Sequence, residues 1–415
     1  MDSMTHSAGP ITGGVDTHGQ VHVAAAICSV THRLLGVASF PVTVAGYVQL
    51  LGWLAGFGEV ERVGVEGTGA YGAGLARFLT AEGIKVVEVD RPDRSERRRR
   101  GKSDPIDAEA AARAVLAGRA SGTPKTRDGL VEAIRAWWVV YRSAVKDRTA
   151  TTNRFHALTV TAPAELRTEL EQIAKDRRVA TVARWRTRTG DDVVTAATRA
   201  ALVELARRIG HLDDQAERAY QQLDLLTDRC APALRDLHGV GVCVAAQLLV
   251  TIGDNPDRLH SDAAFAHLCG VAPIPASSGK TTRHRLNQGG DRAANHALWR
   301  IVMVRRSHHE PRTTDYFNRR RAEGLDDRDI MRCLKRYIAR EVYAAITNPA
   351  ALAPRGAQLR QQREQTGLPL RIVAEAHDIS FGYLARLERG EVRNPDLQTA
   401  IHTWLTTPAH QPAAA

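Results

Sequence analysis

Four acidic side chains lie where predicted strands end and a predicted helix begins. Asp16 and Glu66 each close a short apolar run of strand type, and Asp104 and Asp107 open a helical segment. Acids at such positions can converge on one point, and converging carboxylates supply the oxygen ligands that Mg²⁺ takes in phosphodiester chemistry. The sequence therefore predicts a shared metal site and an enzyme that acts on nucleic acid.

Each acid taken alone also has a structural interpretation. Asp104 precedes Pro105, which suits an N-cap followed by proline in the first helical turn, and Asp107 would complement the helix dipole. Asp16 and Glu66 could cap the turns that follow their strands. The metal site is predicted because the four acids occur together in this order.

The composition favours a polyanionic partner. The chain has 415 residues, enough for two to four domains, and a net charge of +11. Arginine forks match phosphate oxygens, although a solvated basic surface fits the charge equally well. The five cysteines show no metal-type spacing, which argues against a zinc module or a disulfide framework. With no signal peptide and no membrane-length apolar run, we expect a cytoplasmic protein without membrane contact.

The order of the strands and helices predicted around the acids indicates an α/β domain with a mixed sheet. Three hairpin-like strands come first, and helices and strands then alternate. The predicted strands span 11–16, 20–28, 34–40, 60–66 and 84–90, and the helices span 44–57 and 70–82. A basic segment then precedes the last acidic pair. Its nearness to the acids predicts phosphate binding by Arg97, Arg98, Arg99, Arg100 and Lys102, whereas a solvated charge run is the alternative.

The region from 126 to 230 predicts a long helical or coiled-coil arm. Leu202, Ile209 and Leu212 recur at helical spacing, and the helical pattern breaks near Pro163 and Gly190. Such an arm serves either dimerisation or the binding of an extended nucleic acid. The sequence leaves both roles open.

The region from 231 to 347 predicts a mainly helical domain with two phosphate-binding features. Gly239 and Gly241 form a turn between helices, as in helix-hairpin-helix modules, where backbone N–H groups contact phosphate. The turn is otherwise purely structural. Further on, a serine-bearing basic loop would bind a DNA phosphate or attack it, and it contains Ser277, Ser278, Lys280, Arg283 and Arg285.

The segment from 356 to 407 predicts a small all-α domain. Its residue pattern resembles the helix-turn-helix of the Cro/repressor type, with Ser380 as a helix N-cap. That resemblance places Ser380, Phe381, Tyr383 and Arg386 toward the DNA major groove. A domain of this kind can also serve protein contacts alone.

The ordered motifs resemble the Piv/MooV-type insertion-sequence transposases, a family of DEDD serine recombinases guided by a bridge RNA. The resemblance covers about residues 12–345. It includes Val-Asp-Thr-His around Asp16, Val-Glu-Gly-Thr-Gly around Glu66 and Lys-Ser-Asp-Pro-Ile-Asp-Ala around the acidic pair. Further matches are 265–273, Ser278 with Gly279, 289–292 with Asn295, and 332–337.

The resemblance implies a RuvC-like (RNase H-like) DEDD domain over 10–125 that holds Mg²⁺, for which Mn²⁺ can substitute. Ser278 would attack the DNA phosphate and form a covalent phosphoserine link, with the adjacent Ser277 as the fallback. The implied partners are element-end and target DNA, a structured guide RNA and further copies of the chain, as a dimer or tetramer. The segment from 356 onward lies outside the shared family region.

Two other functions fit parts of the sequence. A metal-only nuclease or junction resolvase would use the four acids with water as the nucleophile. A non-enzymatic regulator would rely on the helix-turn-helix. The presence of all four acids argues against the second of these.

Overall fold

The computed structural model describes residues 9–89, 103–186, 188–277, 279, 283–348, 356–390 and 392–407. These residues belong to two compact units, Met1–Gly129 with Ile252–His260, and Leu130–Thr251 with Ser261–Ala415. Several predicted site residues lie outside the described residues, namely Arg97, Arg98, Arg99, Arg100, Lys102, Ser278 and Lys280. None of the described helices combines the length and the apolar character needed to cross a membrane.

The first unit contains a mixed five-stranded sheet in the order β3-β2-β1-β4-β5. Strands β1 to β3 are antiparallel neighbours, whereas β4 and β5 run parallel to β1. The predicted mixed α/β sheet is therefore confirmed. The strands are β1 Ile11–Thr17, β2 Val21–Cys28, β3 Leu34–Pro41, β4 Val60–Glu66 and β5 Lys85–Val89.

Helices cover both faces of this sheet. Helices α1 (Val44–Ala55) and α2 (Ala73–Ala81) lie on one face, where Leu50 and Leu75 join a core with alternate strand residues. Helix α3 (Asp104–Leu116) packs on the opposite face. This is the layered arrangement of an α/β domain, and it is compatible with an RNase H-like fold.

Two strand glycines allow α3 to lie directly against the sheet. A Cβ on Gly14 would come 2.3 Å from the carbonyl oxygen of Ala108, and one on Gly64 would come 3.0 Å from that of Ala111. Glycine inside a strand often marks such a close approach of another backbone. Both glycines lie two residues before an acid of the predicted site, so the acids share the face that α3 covers.

The second unit begins with two long helices, α4 (Leu130–Val160) and α7 (Val193–Cys230), which pack along one another. Two short helices, α5 (Ala164–Glu171) and α6 (Lys175–Val182), connect them. Their apolar core includes Phe155, Leu166, Leu170, Val182 and Leu202.

The described residues in the remainder of the second unit are mainly helical, and they include a short hairpin formed by β6 and β7. Its elements up to residue 347 are α8 Pro232–Asp236, α9 Val242–Ile252, α10 Asp262–Leu268, β6 Ile274–Pro275, β7 His284–Arg285, α11 Arg292–Ser307, α12 Pro311–Ala322 and α13 Asp327–Thr347. Four further helices share one small core: α14 Gly356–Thr366, α15 Leu370–Ala376, α16 Phe381–Glu388 and α17 Pro395–Leu405.

Candidate active site

Strand register places Asp16 and Glu66 side by side. Val15 on β1 lies opposite Val65 on the parallel strand β4, and each acid is the next residue of its strand. The hydroxyl of Thr17 donates a hydrogen bond to the carbonyl oxygen of Glu66 at 2.8 Å, which joins the two strand ends. Asp16 is buried, with 8% exposure, and Glu66 is half-buried.

Asp104 and Asp107 lie in the first turn of α3. The interpretation of Asp104 as the N-cap is wrong, because Ser103 occupies that position and Asp104 is the first residue of the helix. Its side chain is half-exposed, whereas Asp107 is only 3% exposed. Both carboxylates are at the positive end of the helix dipole, which stabilises their charge.

His18 connects the strand to the helix and was missed as a site residue by sequence reasoning. Its Nε2 lies 3.1 Å from Oδ2 of Asp16 and 3.3 Å from Oδ1 of Asp104. One ligand atom from each of these three residues falls within 4.8 Å of the others. The available signal was the Asp-x-His spacing at a strand end, where the chain turns back into the next strand.

The electrostatics of the cluster favour a bound cation. Burial raises the pKa of the Asp16 carboxyl above its ordinary value, the charge of His18 opposes this, and the charges of Asp107 and Asp104 raise the pKa further. A divalent cation would relieve this repulsion among carboxylates. The donor set fits one: carboxylate oxygens suit Mg²⁺ and Mn²⁺, and the imidazole nitrogen suits transition metals.

The serine hairpin of the second unit is held together through Ser277. Its hydroxyl accepts a hydrogen bond from the backbone N–H of Arg283 at 3.1 Å and donates one to the carbonyl oxygen of that residue. Arg283 and Arg285 are both exposed. Gly279 has a φ of +55°, a left-handed conformation that glycine adopts without strain.

The turn at Gly239 and Gly241 has a clear packing role. Gly239 has a φ of +86°, and a Cβ there would lie 3.1 Å from the carbonyl oxygen of Ile301. Arg305 also donates from Nε to the carbonyl oxygen of His238 at 2.9 Å. These contacts fix the turn against α11, and phosphate binding by the turn stays a prediction.

The four C-terminal helices position the residues that were predicted to face the major groove. The Ser380 hydroxyl accepts a hydrogen bond from the backbone N–H of Tyr383, which makes it the N-cap of α16. Ser380 and Arg386 are exposed, while Tyr383 is half-buried. A buried bidentate pair between Arg363 and Glu388, at 2.7 and 2.8 Å, ties α14 to α16. DNA contact by this segment stays a prediction.

Two known transposase domains match the chain. Residues 13–163 match the DEDD transposase domain of the IS110 family, a range that contains all four acids. Residues 231–318 match the domain described as "Transposase IS116/IS110/IS902 family". Both matched domains are described as transposase domains of the IS110 type, so these two parts of the chain are similar to IS110-family transposases. These domains indicate a DNA-recombining enzyme, and a DEDD domain implies a divalent metal.

The IS110 relationship is also seen with a curated protein. The "Insertion element IS110 uncharacterized 43.6 kDa protein" of Streptomyces coelicolor is 30% identical over 123 residues, which is 29% of this chain and 30% of that protein. The predicted resemblance to insertion-sequence transposases is thus confirmed for these matched regions, and this chain spans less than a third of the length of that relative. The four-carboxylate ligand set, the serine nucleophile, RNA guidance and the helix-turn-helix stay predictions.

Proposed function

We propose that this protein excises and inserts its own insertion sequence by a metal-dependent reaction with a serine nucleophile. The observation that carries the proposal is the cluster of Asp16, His18 and Asp104 on adjoining elements of a DEDD domain. Asp16, Glu66, Asp104 and Asp107 would hold Mg²⁺ or Mn²⁺. A divalent cation in such a site offsets the charge that develops on the attacked phosphate.

The chain supplies the remaining groups of the reaction. The Oγ of Ser278 would form a bond to phosphorus while the bond from phosphorus to a deoxyribose oxygen breaks, and the serine proton is lost as the leaving oxygen takes one up. The link preserves the energy of the phosphodiester bond, so strands can be rejoined without another energy source. The hydrogen bonds of Ser277 within the hairpin support Ser278 as the nucleophile, and Arg283 and Arg285 supply cations beside it.

Partners follow from the resemblance. The element ends and the target would be the DNA substrates, and a structured RNA from the flank of the element would select them by base pairing. The net charge of +11 and the long helices α4 and α7 support a polyanionic partner or a dimer or tetramer. The segment from 356 to 407 would then recognise element ends, repress the promoter of the element or dimerise.

One observation favours a second candidate function. Asp16, His18 and Asp104 form a cluster within the first unit, so a nuclease or junction resolvase could act there with water as the nucleophile. In that case neither serine is required.

Recombination-junction formation in cells that carry the gene with its native flanks would test the proposal. The variants are Ser278→Ala, Asp104→Asn and, as a matched control on α5, Glu171→Gln, all at equal protein levels. We expect the first two to lose junctions and the control to keep them. Junctions from Ser278→Ala would refute the serine mechanism in favour of the nuclease. A wild type without junctions would favour the regulator.

A further inference from the structure

A cationic and aromatic cavity of about 910 Å³ lies next to the serine hairpin, entirely within the second unit. Its walls come from the loop 270–273, from β7 and from helices α12 and α13. Residues that matter for its chemistry are Arg285, Tyr316, Arg319, Arg332, Lys335 and Tyr337. This cavity brings together segments that the transposase resemblance matched separately along the chain.

Asn295 holds Lys335 at the wall of this cavity. The Asn295 amide donates to the carbonyl oxygens of Cys269 and Gly270 at 3.1 and 3.0 Å. Its oxygen accepts a hydrogen bond from Nζ of Lys335 at 2.8 Å. Gly290 allows the adjoining loops to meet, because a Cβ there would lie 2.2 Å from the backbone nitrogen of Gly270. The ammonium group is therefore positioned rather than free to move.

The cavity keeps unbalanced positive charge. Arg332 pairs with Asp329, and Arg336 pairs with Asp262 at 2.8 Å. Within the described part of the chain, neither Lys335 nor Arg319 has a carboxylate within ion-pair distance. Lys335 is half-buried, and burial together with the charge of Arg332 lowers the pKa of its ammonium. An anion bound in the cavity would neutralise this excess positive charge.

The aromatic side chains narrow the class of anion. Tyr337 is 51% exposed, and its ring meets that of Tyr316 at a centroid distance of 5.7 Å. The Arg319 guanidinium lies 5.2 Å from the Tyr316 ring centroid. Exposed aromatic rings among cations are typical of sites that stack a nucleobase and bind its phosphate. A phosphate ion alone would make no use of the rings.

We propose that this cavity holds one nucleotide of a DNA strand, with its phosphate at Lys335 and Arg319 and its base against Tyr337. The inference rests on the proposed function and adds a place for the strand beside the serine hairpin. Bound in this way, the nucleotide would set the position of the next phosphate along the strand.

The contribution of the two cations to nucleotide binding can be tested by measuring the equilibrium binding of a labelled single-stranded oligonucleotide to the full chain without metal. The variants are Lys335→Gln and Arg319→Gln, and the control is Arg312→Gln, an exposed arginine on α12 that already pairs with Glu341. We expect each cavity variant to lower the affinity about tenfold and to reduce the salt slope by about 0.7. Unchanged affinity and slope in both would overturn the proposal.

An abasic scan of the same oligonucleotide would test the stacked base. Removing one base should weaken binding to wild type several-fold and have no further effect on Tyr337→Leu, whereas Tyr337→Phe should behave as wild type. If base removal weakened binding to Tyr337→Leu as much as binding to wild type at every position of the oligonucleotide, the assignment of a nucleotide to the cavity would be overturned. A tenfold preference for RNA of the same sequence, lost in Lys335→Gln, would overturn DNA as the ligand. Junction formation in cells reports separately on the proposed function.

Discussion

The acidic cluster of the first unit and the cationic cavity of the second unit are built by different means. The acids stand on β1, β4 and the first turn of α3, and strand pairing fixes where Asp16 and Glu66 lie. The cavity relies on side-chain contacts between loops and helices, with Asn295 joining Lys335 to the backbone at Gly270. Strand pairing of the backbone therefore fixes the positions of the acids in the first unit, whereas a few side-chain hydrogen bonds fix the cavity wall in the second unit.

In both regions, burial and neighbouring like charges shift the pKa of a side chain, upward for an acid in the first and downward for a lysine in the second. Burial and neighbouring acids raise the pKa of Asp16, while burial and a neighbouring arginine lower the pKa of Lys335. In each case the charged form of the side chain is less stable than it would be in water, and a ligand of opposite charge would stabilise it. A divalent cation would suit the first region and a phosphate the second.

The largest effect should follow from Asp16→Asn, which removes one of the proposed metal ligands and one negative charge from the cluster. We expect strand-transfer activity to fall by at least about 10³-fold, since charge stabilisation at the reacting phosphate is lost. The metal-free variant should melt at a higher temperature than wild type at neutral pH. Added Mn²⁺ should stabilise wild type and leave the variant unchanged in thermal unfolding.

The sign of the pH dependence provides a control for that prediction. A raised carboxyl pKa means that the folded protein binds a proton more readily than the unfolded chain, so metal-free wild type loses stability as pH rises through the raised pKa of Asp16. The Asp16→Asn variant should lack this component. A stability difference between the two proteins that does not change with pH would contradict the electrostatic explanation.

Gly14→Ala should test how strongly the backbone sets the acidic cluster. The new Cβ would lie 2.3 Å from backbone atoms of Ala108 and Ala112, so α3 must shift and carry Asp107 with it. We expect a loss of about 1–3 kcal/mol in the free energy of unfolding together with weaker Mn²⁺ binding. Gly52→Ala is the matched control, because open space surrounds that position in α1. If the two variants had the same unfolding free energy and Mn²⁺ affinity, the close approach of α3 to the sheet would not determine the geometry of the acidic cluster.

His18→Asn should show whether the cluster selects its metal. Loss of the imidazole nitrogen should weaken Mn²⁺ binding by about tenfold, while Mg²⁺ binding, which depends on oxygen ligands, changes much less. Calorimetric titration with each ion would measure the two affinities, and His32→Asn, an exposed histidine of the same unit, is the control. Parallel losses for both ions would place His18 outside the ligand set.

Sequence patterns predicted the strands, and the position of an acid near the end of β1 and of β4, because these features are local. An apolar run that ends in an acid predicts a strand and where it ends, and the register then follows from pairing. His18 was missed since its role depends on Asp104, which lies far along the chain. The N-cap assignment of Asp104 was wrong by one residue, a typical error at a helix start.

The cavity could not have been predicted from the sequence for a related reason. Its contacts join Gly270, Asn295 and Lys335, which are separated by loops and helices with no common periodicity. The strand glycines Gly14 and Gly64 did carry a readable signal, since glycine in a strand indicates close backbone approach. That signal predicts a contact without naming its partner.

The smallest effect should come from Ser277→Ala, which separates the two serines of the hairpin. The change removes hydrogen bonds to Arg283 at an exposed position, worth at most about 1 kcal/mol. Junction yield in cells should therefore stay within about fivefold of wild type, whereas Ser278→Ala should abolish it. Loss of junctions with Ser277→Ala and their retention with Ser278→Ala would exchange the two roles. Ser277, whose hydroxyl hydrogen-bonds to the backbone of Arg283, would then also be the nucleophile, and these hydrogen bonds would have to break before each attack.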